Sequence, residues 1–118
     1  MNKRGEPAES LAAAFLEGRG LRVLARNYRC RFGELDLIAE HRDTLVFVEV
    51  RARRSEAFGG AAGSITRAKR RRLLATARHY LARSGLRRPC RFDVVLLRGD
   101  GPAIEWIENA FGEEGGRR

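Results

Sequence analysis

The stretch GELDLIAEHRDTLVFVEVRAR, Gly33 to Arg53, decides the fold of this chain. Two runs of strand character, Glu34 to Ala39 and Leu45 to Arg51, flank the polar turn His41-Arg42-Asp43-Thr44, which reads as a β-hairpin. A turn symmetric about the Arg42–Asp43 bond pairs residues whose numbers sum to 85, which sets Asp36 opposite Glu49. Successive strand side chains point to opposite faces. Leu35, Leu37 and Ala39 therefore meet Val50, Val48 and Val46 on one purely apolar face, which must be core. The other face sets Glu34, Asp36 and Ile38 against Arg51, Glu49 and Phe47, apolar near the turn and charged at the open end.

Carboxylates directly opposed in a ladder have Cβ atoms about 4.5–5.5 Å apart and repel, by roughly 3 kcal/mol at an effective dielectric near 20. A divalent cation would offset that repulsion, since Mg²⁺ is held by one or two carboxylates together with a phosphate and waters. Arg51, diagonal to Asp36 on the strand of Glu49, could instead neutralise the pair without metal. The residues alone leave both readings open.

Outward from the hairpin, Glu6 to Arg19 reads as a helix with Pro7 in its first turn and Gly18 and Gly20 at its end. Leu11, Phe15 and Ala8 or Ala12 form its expected apolar stripe. Glu9 lies on the flank of that stripe, where a carboxylate is favoured by the positive helix N-terminus whatever else it does. Leu21 to Tyr28 makes a first strand, joined closely enough to the hairpin for a three-stranded antiparallel meander. Arg54 to Gly63, with its SEAFGGAAG core, reads as a flexible loop.

Thr66 can cap a helix running to about Ser84, stopped by Gly85 and Pro89. Leu73, Leu74, Ala77, Tyr80 and Leu81 supply its buried face, and Arg67, Lys69, Arg70, Arg71, Arg72 and Arg78 the rest. No acid interrupts Thr66 to Ser84, whereas a merely solvated helix usually alternates Glu with Lys or Arg. Such density favours phosphate contact. Arg91 to Leu97 is an apolar run suited to a strand covered on both sides, Ile104 to Ile107 a short last strand, and Gly112 to Arg118 a tail. The order of elements describes an α/β protein, a mixed sheet flanked by helices.

Composition agrees with one domain over residues 1–111 of the 118. A formal charge of +9, from 24 Lys and Arg against 15 Asp and Glu, and a pI near 11.1 are the footprint expected of a nucleic-acid binder. No apolar run suits a membrane span, and MNKRGEPAES lacks the apolar centre of a signal peptide, so the expected location is cytoplasmic. Cys30 and Cys90 show no zinc-ligand spacing and are expected to stay reduced.

The stretches GEPAE in the first helix, GELDLIA, LVFVEVR, the basic helix around Lys69, CRFDVV and IEWIENAF resemble the YraN family of small bacterial proteins, from about Gly5 to Phe111. That family in turn looks like a branch of the PD-(D/E)XK nuclease superfamily, with a restriction-endonuclease-like αβββαβ core similar to archaeal-type Holliday junction resolvases. The resemblance implies that Glu9, Asp36 and Glu49, with the main-chain carbonyl of Val50, hold Mg²⁺ or Mn²⁺ against a scissile DNA phosphate. It places Arg51 where the superfamily motif has lysine. Arginine cannot accept the proton of an attacking water, although its fork can clamp a phosphate, and Lys69 could supply an ammonium if the fold brings it close. Arg53, Arg67, Lys69, Arg70 and Arg71 are the expected DNA contacts. The implied activity is a metal-dependent endonuclease acting on branched or recombination-intermediate DNA. The alternative is a catalytically weak binding module acting through a recombination or repair protein. Symmetric nicking of a junction would favour a two-fold homodimer.

Overall fold

The computed structural model describes residues 6–53, 65–98 and 103–111. The expected loop at Arg54 to Gly63, the turn Gly99 to Pro102 and the tail from Gly112 lie outside the described residues. The chain runs α1 (Glu6–Gly18), β1 (Arg22–Cys30), β2 (Gly33–His41), β3 (Thr44–Arg53), α2 (Arg67–Ser84), β4 (Cys90–Arg98), β5 (Ile104–Phe111). The strands form one mixed sheet in the order β1-β2-β3-β4-β5. Only β3 and β4 are parallel, because α2 carries the chain back across the sheet between them. This is an α/β fold consistent with a restriction-endonuclease-like αβββαβ core.

The hairpin register is the expected one from His41↔Thr44 through Ile38↔Phe47 to Leu37↔Val48. The two-residue turn needs Arg42 at φ 60°, a left-handed conformation that hairpin turns of this length demand. Beyond Leu37 the expectation fails. Main-chain pairing with β3 stops one residue short of Asp36, and Leu35 is buried with Ile38, Phe47 and the α2 residues Leu73 and Ala77. Leu37, Ala39, Val46 and Val48 instead pack with Ala12, Ala13 and Leu16 of α1. Strict alternation had put Leu35 and Leu37 on one face. A side chain causes the slip: the Val50 amide donates to Asp36 Oδ2 at 2.8 Å, so β3 bonds to a carboxylate there rather than to the β2 main chain.

The stripe of α1 is also shifted from expectation. Ala12, Ala13 and Leu16 are fully buried whereas Leu11 is 58% exposed. Two adjacent alanines let the helix backbone approach the sheet, and Phe15 then lies at the margin, its ring edge-on to Trp106 at 6.2 Å. Glu9, three and four residues before Ala12 and Ala13, falls on this sheet-facing side. In β4, Phe92, Val94 and Leu96 face the α2 layer while Val95 faces the α1 layer, as its apolar run predicts. β5 extends past the expected Ile107 to Phe111 because a bulge opposite Asp93 carries the pairing on to Phe92↔Phe111.

Candidate active site

Where the β2–β3 ladder opens, acidic side chains of α1 and β2 converge. Carboxylate oxygens of Glu9, Glu34 and Asp36 lie within 4.8 Å of one another, Glu9 arriving from α1 and the other two from β2. On the α2 side a cavity of about 220 Å³ is lined by Gly33, Glu34, Asp36, Glu49, Lys69, Arg72 and Leu73. Asp36 is its hub. Burial first and the charge of Glu49 second push its carboxyl up to about 8, with smaller contributions from Glu9 and Glu34, against the opposing effect of the Val50 hydrogen bond. Among the described residues no cation pairs with Asp36.

Glu49 is treated differently. It is buried, and Lys69 Nζ sits 2.8 Å and Arg51 Nη1 3.3 Å from its Oε2. Lys69 comes from the first turn of α2, where Thr66 is the N-cap and its hydroxyl accepts the Lys69 amide at 3.1 Å. That cap sets the phase of the helix. Lys69 stands one turn before the buried Leu73, on the stripe that continues to Thr76 and Ala77. Removing the cap with Thr66→Ala is expected to cost about 1 kcal/mol in urea unfolding and to loosen Lys69 from Glu49.

Not all the residues expected at the site meet there. Glu9 and Asp36 meet directly, and Glu49 shares the cavity with Asp36 while bonding to Lys69 and Arg51. The Val50 amide holds Asp36, and Val50 pairs with Val95 on its other side. Arg53 ends β3 in register with Arg98. Arg67 and Arg71 are exposed on α2. Arg70 is half-buried, its guanidinium 5.6 Å above the Phe111 ring and its Nε buried without a partner. Glu34 was not among the expected ligands. Its place on the charged face was legible, but alternation alone gave no sign that it would join Glu9; Arg29 of β1 pairs with it at 3.5 Å.

The donor set fits a hard divalent cation. Three carboxylates converge, and repulsion between two ionised groups no more than 4.8 Å apart is about 3 kcal/mol or more at an effective dielectric near 20. Either a proton or a cation must relieve it, and oxygen ligands of this kind select Mg²⁺ or Mn²⁺ over softer metals.

Fold and site together define a class: a mixed-sheet α/β domain with a carboxylate cluster at the split of its sheet, covered by an arginine-rich helix. Within that class the chain belongs to the family described as "Uncharacterised protein family UPF0102", whose model matches residues 8–97. It is similar to a UPF0102 protein of Nitrosomonas europaea, 60% identical over 111 residues that cover 93% of this chain and 94% of the relative. A UPF0102 protein of Methylobacillus flagellatus is 54% identical over 112 residues, covering 94% and 98% of the two chains. This is the family that the sequence motifs resembled under the name YraN. In the described residues no helix is long and apolar enough to cross a membrane.

Proposed function

We propose that this protein is a metal-dependent endonuclease of the PD-(D/E)XK type that hydrolyses DNA phosphodiester bonds. The observation that carries the reading is the convergence of Glu9, Glu34 and Asp36 within 4.8 Å, beside the Glu49–Lys69 pair and under a helix whose charged residues are all cationic. Glu9, Asp36 and Glu49, supplemented by Glu34, would hold Mg²⁺ or Mn²⁺. Such an ion would supply Lewis-acid polarisation of a phosphoryl oxygen and a more acidic bound water. The Val50 amide orients Asp36 through its 2.8 Å bond. Arg51, permanently protonated, can clamp a phosphate oxygen but cannot exchange a proton with an attacking water. Lys69, 2.8 Å from Glu49, stands where an ammonium can do what the motif lysine does elsewhere. Arg67 and Arg71 supply sequence-independent backbone contacts.

The Arg51 substitution favours a second reading, a binding module whose cleavage is lost and which works through a partner. Incubation of purified protein with branched, single-stranded and duplex DNA in Mg²⁺ or Mn²⁺ separates the two. The nuclease reading expects strand scission that falls on the order of a hundredfold or more in Asp36→Asn and in Lys69→Met, since metal and ammonium each contribute several kcal/mol to such a transition state. Equal cleavage by wild type and Asp36→Asn would overturn it. Salt-sensitive binding with no scission, unchanged in Arg51→Lys, would establish the module instead.

A further inference from the structure

At the rim of the carboxylate cavity, the β1–β2 turn presents Phe32, 38% exposed and, among the described residues, the one exposed aromatic side chain. Its surroundings hold it still. Gly33, at φ 149°, lies so close to α2 that a Cβ there would come within 3.2 Å of Thr76 Oγ1, so the turn sits directly against the helix. The Tyr28 hydroxyl and His79 Nδ1 are 2.6 Å apart, fixing the imidazole. That ring meets Phe32 edge-on at 6.2 Å. The Arg31 guanidinium lies over one face of the Phe32 ring, 5.0 Å from its centre, so a base stacks on the opposite face or displaces it. A solvent-facing ring held by a buttressed turn and attended by a guanidinium has the build of a base-stacking platform.

Position gives it a partner. Phe32 is followed directly by Gly33 and Glu34, both lining the cavity, and the four residues of chain from Phe32 to Asp36 span at most about 13 Å, up to about four base steps of a stacked strand. Resting on the nuclease reading above, we propose that Phe32 stacks on an unpaired base within about four nucleotides of the phosphate bound at Asp36, so that the preferred substrate is single-stranded beside the site of cutting. A continuous duplex buries its base faces in its own stack and has no face to offer Phe32. A single strand, a flap or a frayed branch does.

The test uses the full chain, without divalent metal so that strands stay intact. Single-stranded oligonucleotides carrying 2-aminopurine at successive positions report stacking as fluorescence quenching, and a blunt duplex of the same sequence is the control. Quenching at one or two positions is expected in wild type, lost in Phe32→Ala and kept in Phe32→Trp. Single-strand affinity should fall roughly 5- to 150-fold in Phe32→Ala, the value of one stacked base, and duplex affinity by less than about twofold. Because Phe32 is exposed, unchanged thermal unfolding should confirm that the variant folds. Equal losses for single strand and duplex, or quenching indifferent to Phe32→Ala, would overturn the stacking role while leaving the nuclease reading intact. Absence of DNA binding in wild type would overturn both.

Discussion

Asp36→Asn should cripple cleavage and yet, in EDTA at pH 8, melt at a higher temperature than wild type. The native carboxyl is pushed up to about 8 from an ordinary value of 3.8, so between those values the folded protein keeps a proton that the unfolded chain releases. Stability is then fully present below about pH 4 and declines as the pH rises towards 8. The neutral amide of asparagine removes that decline. It keeps an oxygen to accept the Val50 amide, so the geometry of β3 is preserved. A gain of several kcal/mol, on the order of 10 °C or more, is expected at pH 8 and roughly a quarter to a third of it at pH 5, since the loss in wild type accumulates at about 1.4 kcal/mol per pH unit above about pH 4. Excess Mn²⁺ should stabilise wild type by mass action and raise it towards or above the variant, since binding to the native state alone adds stability. Thermal melts of both proteins at the two pH values, with EDTA or Mn²⁺, check each expectation. A wild-type melting temperature flat from pH 5 to pH 8 in EDTA would show that the carboxylates do not strain the fold.

The same residue shows how far the sequence could be read. Arg42-Asp43 and the alternating pattern were enough to place five pairs of the hairpin, from His41↔Thr44 to Leu37↔Val48, and the faces of those residues. They could not show that the Val50 amide would be satisfied by a side chain, and that bond is where Leu35 and Glu34 depart from their expected surroundings. Lys69, expected among the DNA contacts or as an ammonium at the site if the fold brings it close, lies 2.8 Å from Glu49. With Thr66 as cap and Leu73 and Ala77 as core, its helical phase already aims it at the sheet. Leu11 was misplaced because a large apolar residue was preferred over adjacent alanines, whereas small side chains permit the closer approach of helix to sheet. Local pattern thus recovers the elements and their order. Long-range polar bonds, which leave no periodic trace, decide how the site closes.

The largest loss of stability should follow Asp93→Ala. Asp93 interrupts the apolar run of β4 and is wholly buried. Phe92 pairs with Phe111 and Val94 with Ile107, so Glu108, Asn109 and Ala110 of β5 all face Asp93 alone. Such a bulge leaves main-chain donors without ladder partners. The carboxylate satisfies them: it accepts the Asn109 amide at 2.8 Å, Trp106 Nε1 at 2.9 Å and Arg91 Nε at 3.0 Å. Asn109, at φ 54°, takes a left-handed conformation that costs energy unless its surroundings enforce it. Alanine would leave an indole N–H and a backbone N–H without their acceptor and strip the Arg91 guanidinium of its buried partner, leaving it only the exposed Glu108 at 3.4 Å and His41 at 3.4 Å, at a cost of about 3–5 kcal/mol. That is a large share of the roughly 5–15 kcal/mol by which domains are stable. An asparagine in its place would retain one oxygen but turn an amide towards Arg91, so Asp93→Asn should lose about half as much. Urea unfolding followed by the fluorescence of Trp106, the chain's single tryptophan and a direct partner of Asp93, measures both. A loss below about 1 kcal/mol in Asp93→Ala would mean that water can replace the carboxylate and that the bulge holds without it.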